Sequence, residues 1–190
     1  MKKELLIEIA MVRNDLLNIP DIPLPSPYTI RNYSPADKNI WVNIQQQADI
    51  YHPISLDTFH IWFGHDENEL ARRMFFLCDE TGKEIGTASA WFDERFRGCL
   101  HGRIHWVAII PKMQGKKLSK PLISHLCRKF KELGHDRACL TTESVRIWAI
   151  NLYSQFGFVP AIDSEYDLKI WQEIQKNGAK ISIPEINKHL

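Results

Sequence analysis

A chain of 190 residues that is 44% hydrophobic can build one domain with a full core, burying roughly 70% of its unfolded surface, so no metal or disulfide staple is required. With 24 basic and 23 acidic residues the formal charge is only +1, which excludes general electrostatic stickiness as the mode of action. The four cysteines, Cys78, Cys99, Cys127 and Cys139, form no CxxC pair, which favours reduced thiols in a cytoplasmic setting over a secreted disulfide framework.

Residues 3–18 carry Leu5, Ile9, Val12 and Leu16 near helical spacing and predict an amphipathic N-terminal helix. Glu4 and Glu8 interrupt the apolar run, which argues against a signal peptide, and no apolar run approaches the ~20 residues of a membrane helix. Pro20, Pro23, Pro25 and Pro27 then predict an extended linker, so residues 1–27 read as helix plus linker, 28–176 as the main domain and 177–190 as a loosely attached tail. Tyr28–Tyr33 alternates like a strand, and Ser34-Pro35 opens a helix to about Ala48. Short helices are expected over 55–63 and 66–72. A hairpin follows, with strands Met74–Cys78 and Glu84–Phe92 around Gly82.

Arg103–Ile110 has apolar residues on both faces and predicts a central strand. After it, Pro111-Lys-Met-Gln-Gly-Lys-Lys-Leu-Ser119 reads as a turn and a basic, glycine-containing loop that opens a helix. Such a loop aims backbone N–H groups and the positive end of the helix dipole at one place, and the natural guest is a phosphate. From Arg95 to Lys131 there are ten Lys or Arg and no Asp or Glu, so the local excess points to an anionic ligand. The stripe Leu118, Leu122, Leu126, Phe130, Leu133 predicts a helix ended by Gly134. Ala138–Thr142 is a strand, Ile147–Phe156 a helix capped by Gly157, and Phe158–Ile162 a closing strand. Tyr166–Ile170 reads as a strand or as the start of a helix through Gln175. The order is that of a mixed α/β sheet with helices between several strands.

Two segments resemble the GCN5-related N-acetyltransferases. Val107-Ala108-Ile109-x-Pro111-x-x-Gln114-Gly115-x-x-Leu118 is similar to that family's acetyl-coenzyme A loop, and Ala149-Ile150-x-Leu152-Tyr153-x-x-x-Gly157-Phe158 to its later helix motif. The resemblance spans about Tyr28–Ile162. It implies a mostly antiparallel central sheet with a splayed central strand pair and helices on both faces, and acetyl-coenzyme A as co-substrate. Val107, Ala108 and Ile109 would grip the pantetheine arm. Gln114, Gly115, Lys116, Lys117, Leu118 and Ser119 would cradle the pyrophosphate, and Arg146 and Ala149 would complete the cofactor site. The chain departs from the family loop at Lys117 and Ser119, where small residues are usual, and at Arg146, where Asn is frequent. Lys117 either changes the backbone or keeps a glycine-like conformation and adds charge; the second is expected.

Acetyl transfer to an amine needs a neutral amine, a polarised thioester carbonyl and a stabilised leaving thiolate. The resemblance implies Tyr153 as general acid, where periodicity alone would make it a core tyrosine. His105 is the candidate base, since an unperturbed imidazole titrates near 6.5; a hydrogen-bonded core histidine fits its position equally well. Glu143, Asp93 and Glu94 are lesser candidates, read more simply as solvated carboxylates. Cys99-x-His101-x-x-x-His105 lacks a clear fourth ligand, and no metal is expected. Trp62 and Trp91 are placed to line an acceptor cleft, though ordinary packing accounts for them. The expected partner is a small-molecule or peptide amine attacking directly in a ternary complex, with no nucleic acid and no membrane; the terminal extensions leave a homodimer open. The competing readings are a non-catalytic acyl-coenzyme A-binding module on the same fold and a nucleic-acid-binding protein using the basic block, for which no accompanying motif is present.

Overall fold

In the computed structural model residues 6–186 are described, and their elements run β1 (Glu8–Arg13), β2 (Thr29–Asn32), α1 (Lys38–Ala48), α2 (Leu56–Phe63), α3 (Glu67–Arg73), β3 (Met74–Cys78), β4 (Glu84–Asp93), β5 (His101–Ile109), α4 (Ser119–Glu132), β6 (Ala138–Glu143), α5 (Ile147–Ser154), β7 (Val159–Pro160) and α6 (Glu165–Lys176). The strands hydrogen-bond in the order β2-β3-β4-β5-β6-β1-β7. Pairs β2–β3, β3–β4, β6–β1 and β1–β7 are antiparallel, and β5–β6 is parallel, so the sheet is mixed and mostly antiparallel as expected. Two compact units divide the described residues, one of residues 21–91 and 104–129 and the other of 6–20, 92–103 and 130–186.

In the first unit β3 is buried along its whole length, because helices cover both of its faces. Met74, Phe76 and Cys78 alternate onto one face, in a cluster with Trp41 and Ile44 of α1, Phe59 and Phe63 of α2 and Leu70 of α3. On the other face Phe75 meets His125 and Lys129 of α4, and Leu77 packs with Ile85 and Leu118. The helices start where local chemistry tells them to. Asp37 accepts from the Ser34 N–H at 2.7 Å before α1. Ser55 and Thr58 cap α2 reciprocally, at 3.3 and 3.1 Å, and Asp66 accepts from the N–H groups of Asn68 and Glu69 to begin α3. The Pro-rich stretch has no helix or strand over 20–28, but it is pinned: Ile22 N–H donates to Ser124 Oγ at 3.0 Å, and Asp21 pairs with Arg128.

The second unit corrects two expectations. Over its described part, residues 6–18, the N-terminal segment has no helix; it forms a strand at Glu8–Arg13 and irregular chain and a turn beyond it. Glu8–Arg13 pairs with β6 on one edge, from Glu8↔Glu143 to Arg13↔Ala138, and with β7 on the other. Its helical spacing was coincidental: Met11 and Val12, neighbours in sequence, are both buried, which requires a strand covered on both faces. Leu5 lies outside the described residues. The start of the C-terminal tail is also anchored. Asn151 accepts from Lys180 N–H at 2.5 Å, Gln175 donates to Ile181 O at 2.9 Å, and Ala179 and Ile181 are buried. The Tyr166 region resolves to the helical option, α6, whose Ser164 cap accepts from Asp167 N–H.

Candidate functional site

The first unit carries the loop at which the sequence places an anion as an expectation. Ile110 N–H donates to Ile85 O at 2.9 Å and ends the strand pairing, and a tight turn over Pro111–Met113 follows. Gln114 Nε2 donates to Ile109 O at 2.9 Å and its backbone N–H to Pro111 O at 3.1 Å, so the residue braces the strand end and the turn. Gly115 has φ 77° and Lys117 φ 62°. Lys117 therefore keeps the left-handed conformation that glycine adopts freely and a lysine adopts at a cost. Among the described residues no hydrogen bond takes up the backbone N–H of Gly115, Lys116, Lys117 or Leu118. Leu118 contributes only backbone, since its side chain is 2% exposed in the cluster with Leu77 and Ile85. Ser119 then opens α4, whose dipole adds to the field of the loop.

Ion pairing sorts the basic block. Arg97 pairs with Asp163, Arg103 with Asp93 and Arg128 with Asp21. Lys112, Lys116, Lys117 and Lys120 are exposed and make no ion pair among the described residues. Four of the basic residues without an ion pair among the described residues thus lie on the loop and the first turn of α4.

Upstream on β5, Val107 and Ile109 are half-buried and Ala108 is buried, with Ala108 and Ile109 packing into different clusters. Gly86 of β4 approaches them so closely that a Cβ there would lie 2.8 Å from Ala108 O. His105 is buried, edge-on to Trp62 at 5.2 Å and to Phe63 at 5.3 Å. Trp62 is 41% exposed, while Trp91 packs edge-on against Phe63. Trp106 has φ 49°, left-handed like Asn18, Arg97 and Lys117, and Gln45 of α1 donates to its carbonyl at 2.9 Å. Sequence reading missed both residues. The available signal was a glutamine four positions after Trp41, on the apolar face of α1.

The second unit carries the other candidates. Tyr153 lies on α5, 9% exposed, with its ring 6.2 Å from Phe158. Burial pushes its phenol up to about 12, with Arg146 opposing. No hydrogen bond among the described residues engages that hydroxyl. Ala149 is buried one turn earlier. Gly157 ends the segment at φ 77°, and a Cβ there would stand 2.5 Å from Arg13 Nη1, whose guanidinium donates to Phe156 O; the Gly-Phe of the second motif thus has a packing reason. Arg146 is paired with Glu143, which ties up the Glu143 carboxylate. Asp93 accepts from Arg95 N–H and faces Arg103, and Glu94 is exposed. His101 is buried with Nδ1 3.0 Å from Cys99 O, and burial lowers its pKa. Among the described residues no group of three His, Cys, Asp or Glu is arranged to hold a metal.

Residues 39–158 match the acetyltransferase (GNAT) family. The chain is 28% identical over 145 residues to a mycothiol acetyltransferase of Salinispora tropica, covering 74% of this chain and 47% of that one. A GCN5-related N-acetyltransferase of Sphaerobacter thermophilus superposes with TM-score 0.65 at 17% identity, over 80% of this chain and 48% of that one. The ribosomal-protein-S18-alanine N-acetyltransferase of Escherichia coli superposes with TM-score 0.54 at 24% identity, over 68% and 76%. The chain spans about half the length of the Salinispora and Sphaerobacter proteins. With the family's span running from α1 through the loop and α5 to Phe158, this chain belongs to the GCN5-related N-acetyltransferase family.

Proposed function

We propose that the protein moves an acetyl group from acetyl-coenzyme A to a primary amine, on a small molecule or a protein, by direct attack in a ternary complex. The observation that carries this reading is the Gly115–Leu118 loop: its left-handed Gly115 and Lys117 leave four backbone N–H groups without a protein acceptor, beside unpaired lysines. That arrangement suits a pyrophosphate. Family membership supports the same cofactor, and the Salinispora relative is named for acetyl transfer. Val107–Ile109 hold the pantetheine arm, Gln114 braces the strand end, and Gly115 to Ser119 hold the phosphates. His105 takes the proton from the amine and Tyr153 donates to the leaving thiolate; Ala149 leaves room on the face of α5. Acetyl-coenzyme A is the donor, and the acyl-thioester supplies the electrophilic carbonyl. The free thiols of Cys78, Cys99, Cys127 and Cys139 support a reducing, cytoplasmic setting. No described helix is long and apolar enough to cross a membrane.

Calorimetric titration with acetyl-coenzyme A tests the reading, with saturable micromolar binding expected; no binding at millimolar cofactor would sink it. Thiol release with an amine panel then separates catalysis from mere binding. One observation favours the binding-only alternative: Glu143 is engaged by Arg146, so neither is free to assist the chemistry. Binding without thiol release across the panel would establish that alternative.

Lys117→Gly tests the loop directly. Glycine relieves the left-handed backbone cost, roughly 1–2 kcal/mol, so the melting temperature should stay or rise. Cofactor affinity should fall about threefold to tenfold and lose part of its salt dependence as one phosphate-facing charge disappears. Unchanged or tighter binding would mean that the lysine is merely tolerated.

A further inference from the structure

Trp106 is the least expected residue of β5. It sits in the interior of a nine-residue strand, yet its φ is 49°. A large aromatic side chain adopts that conformation only where its surroundings enforce it. The next three residues, Val107, Ala108 and Ile109, are those assigned to the cofactor arm.

Two sets of contacts enforce the conformation. The first holds the ring: Trp41 lies edge-on at 5.2 Å and Trp62 at 6.0 Å. The second holds the backbone. Gln45 is 3% exposed, and its side-chain amide donates to the Trp106 carbonyl at 2.9 Å. A left-handed residue interrupts the regular geometry of a strand, and a carbonyl buried without a donor is costly. A glutamine on the apolar face of a helix is costly in the same way. Each group satisfies the other, and the pair makes sense only if the kink is kept.

Downstream, the strand is fixed again where Ile110 N–H meets Ile85 O at 2.9 Å and where Gly86 admits the Ala108 carbonyl. Val107–Ile109 is therefore a short segment held at both ends, by Gln45 before it and by β4 after it.

We propose that Gln45 is a positioning residue for the cofactor: by holding the Trp106 carbonyl it keeps the kink in β5 and presents the Val107–Ile109 backbone to the pantetheine arm. The side chain of Gln45 touches strand backbone and acts through it. This rests on the acetyl-coenzyme A reading above, and its test separates the two.

Acetyl-coenzyme A is titrated into wild type, Gln45→Met and Gln45→Glu, with melting temperatures measured alongside. Gln45→Met conserves volume and removes the donor, so it should melt within a few degrees of wild type yet bind cofactor about tenfold more weakly. Gln45→Glu cannot donate when ionised and can when protonated. Its affinity relative to wild type should be lowest near pH 8 and recover as the pH falls toward 5, a response that simple loss of packing would not produce. Gln45→Glu also carries the test where Gln45→Met does not fold. Equal affinity of wild type and Gln45→Met, or a Gln45→Glu ratio flat with pH, overturns the proposal. If wild type itself fails to bind acetyl-coenzyme A, the cofactor reading falls instead. The positioning role is then read from amide hydrogen exchange at Val107–Ile109, which should quicken in Gln45→Met and overturns the role if it does not.

Discussion

Tyr153→Phe should lower the rate of thiol release roughly 10- to 100-fold while leaving acetyl-coenzyme A affinity within about twofold. The size follows from what the phenol can do. Burial holds it at about 12, whereas a free thiol ionises near 8.5, so complete proton delivery to a coenzyme A thiolate would run uphill by about 5 kcal/mol. Tyr153 therefore serves better as a hydrogen-bond donor to the developing thiolate than as a full proton source. A hydrogen bond to a charged group is worth about 1.5–3 kcal/mol, which sets the expected range. The pH dependence has a definite sign. The folded-state pKa is raised above the ordinary value near 10, so the neutral phenol contributes stability that is fully present below pH ~10 and is lost as the pH rises through about 12. Tyr153 should accordingly produce no loss of rate between pH 7 and 10. Steady-state thiol release read against pH checks both statements, and equal turnover of Tyr153→Phe and wild type would remove the tyrosine from the mechanism.

Trp41→Ala should cost about 3–5 kcal/mol in urea denaturation, the range for emptying a large aromatic site in a packed interior. Trp41 is fully buried and makes edge contacts with Phe59 at 5.2 Å, Phe63 at 5.5 Å and Trp106 at 5.2 Å. The last contact ties stability to function, because the same ring braces the kinked strand. Cofactor affinity should drop along with stability, whereas Trp148→Ala, at a residue 65% exposed, should change stability by no more than about 0.5 kcal/mol. A Trp41 variant as stable as the Trp148 variant would show that the cluster around α1 is not the centre of its unit.

Local chemistry made much of the fold legible. The hairpin around Gly82, the α4 stripe and the Gly157 stop all follow from rules acting within a few residues, and the structure has each in place; at Ser34-Pro35 a tight turn over Pro35–Asp37 comes first and α1 begins at Lys38. The N-terminal strand was not legible, because Leu5, Ile9, Val12 and Leu16 fit a helical period. Only pairing with β6 and β7 decides that Met11 and Val12 are buried on opposite faces. The anchored start of the tail was hidden for a similar reason: Asn151 of α5 holds Lys180 from 29 residues away, a separation no local pattern reports.

The site divides along the same line. Sequence by itself determined where a basic, glycine-containing loop would run into a helix, since turn chemistry and helix polarity are local. It also placed Tyr153 and Gly157-Phe158 on one helix and its exit. Tertiary structure alone decided how basic residues of the block are engaged: the partners of Arg97, Arg103 and Arg128 come from other segments, while Lys112, Lys116, Lys117 and Lys120 meet no ion partner among the described residues. It likewise decided that Lys117 takes the conformation of a glycine, and that the buried Gln45 of α1 donates to the carbonyl of Trp106 in β5. Those features depend on what the fold brings alongside each residue, and side-chain type and spacing carry no record of it.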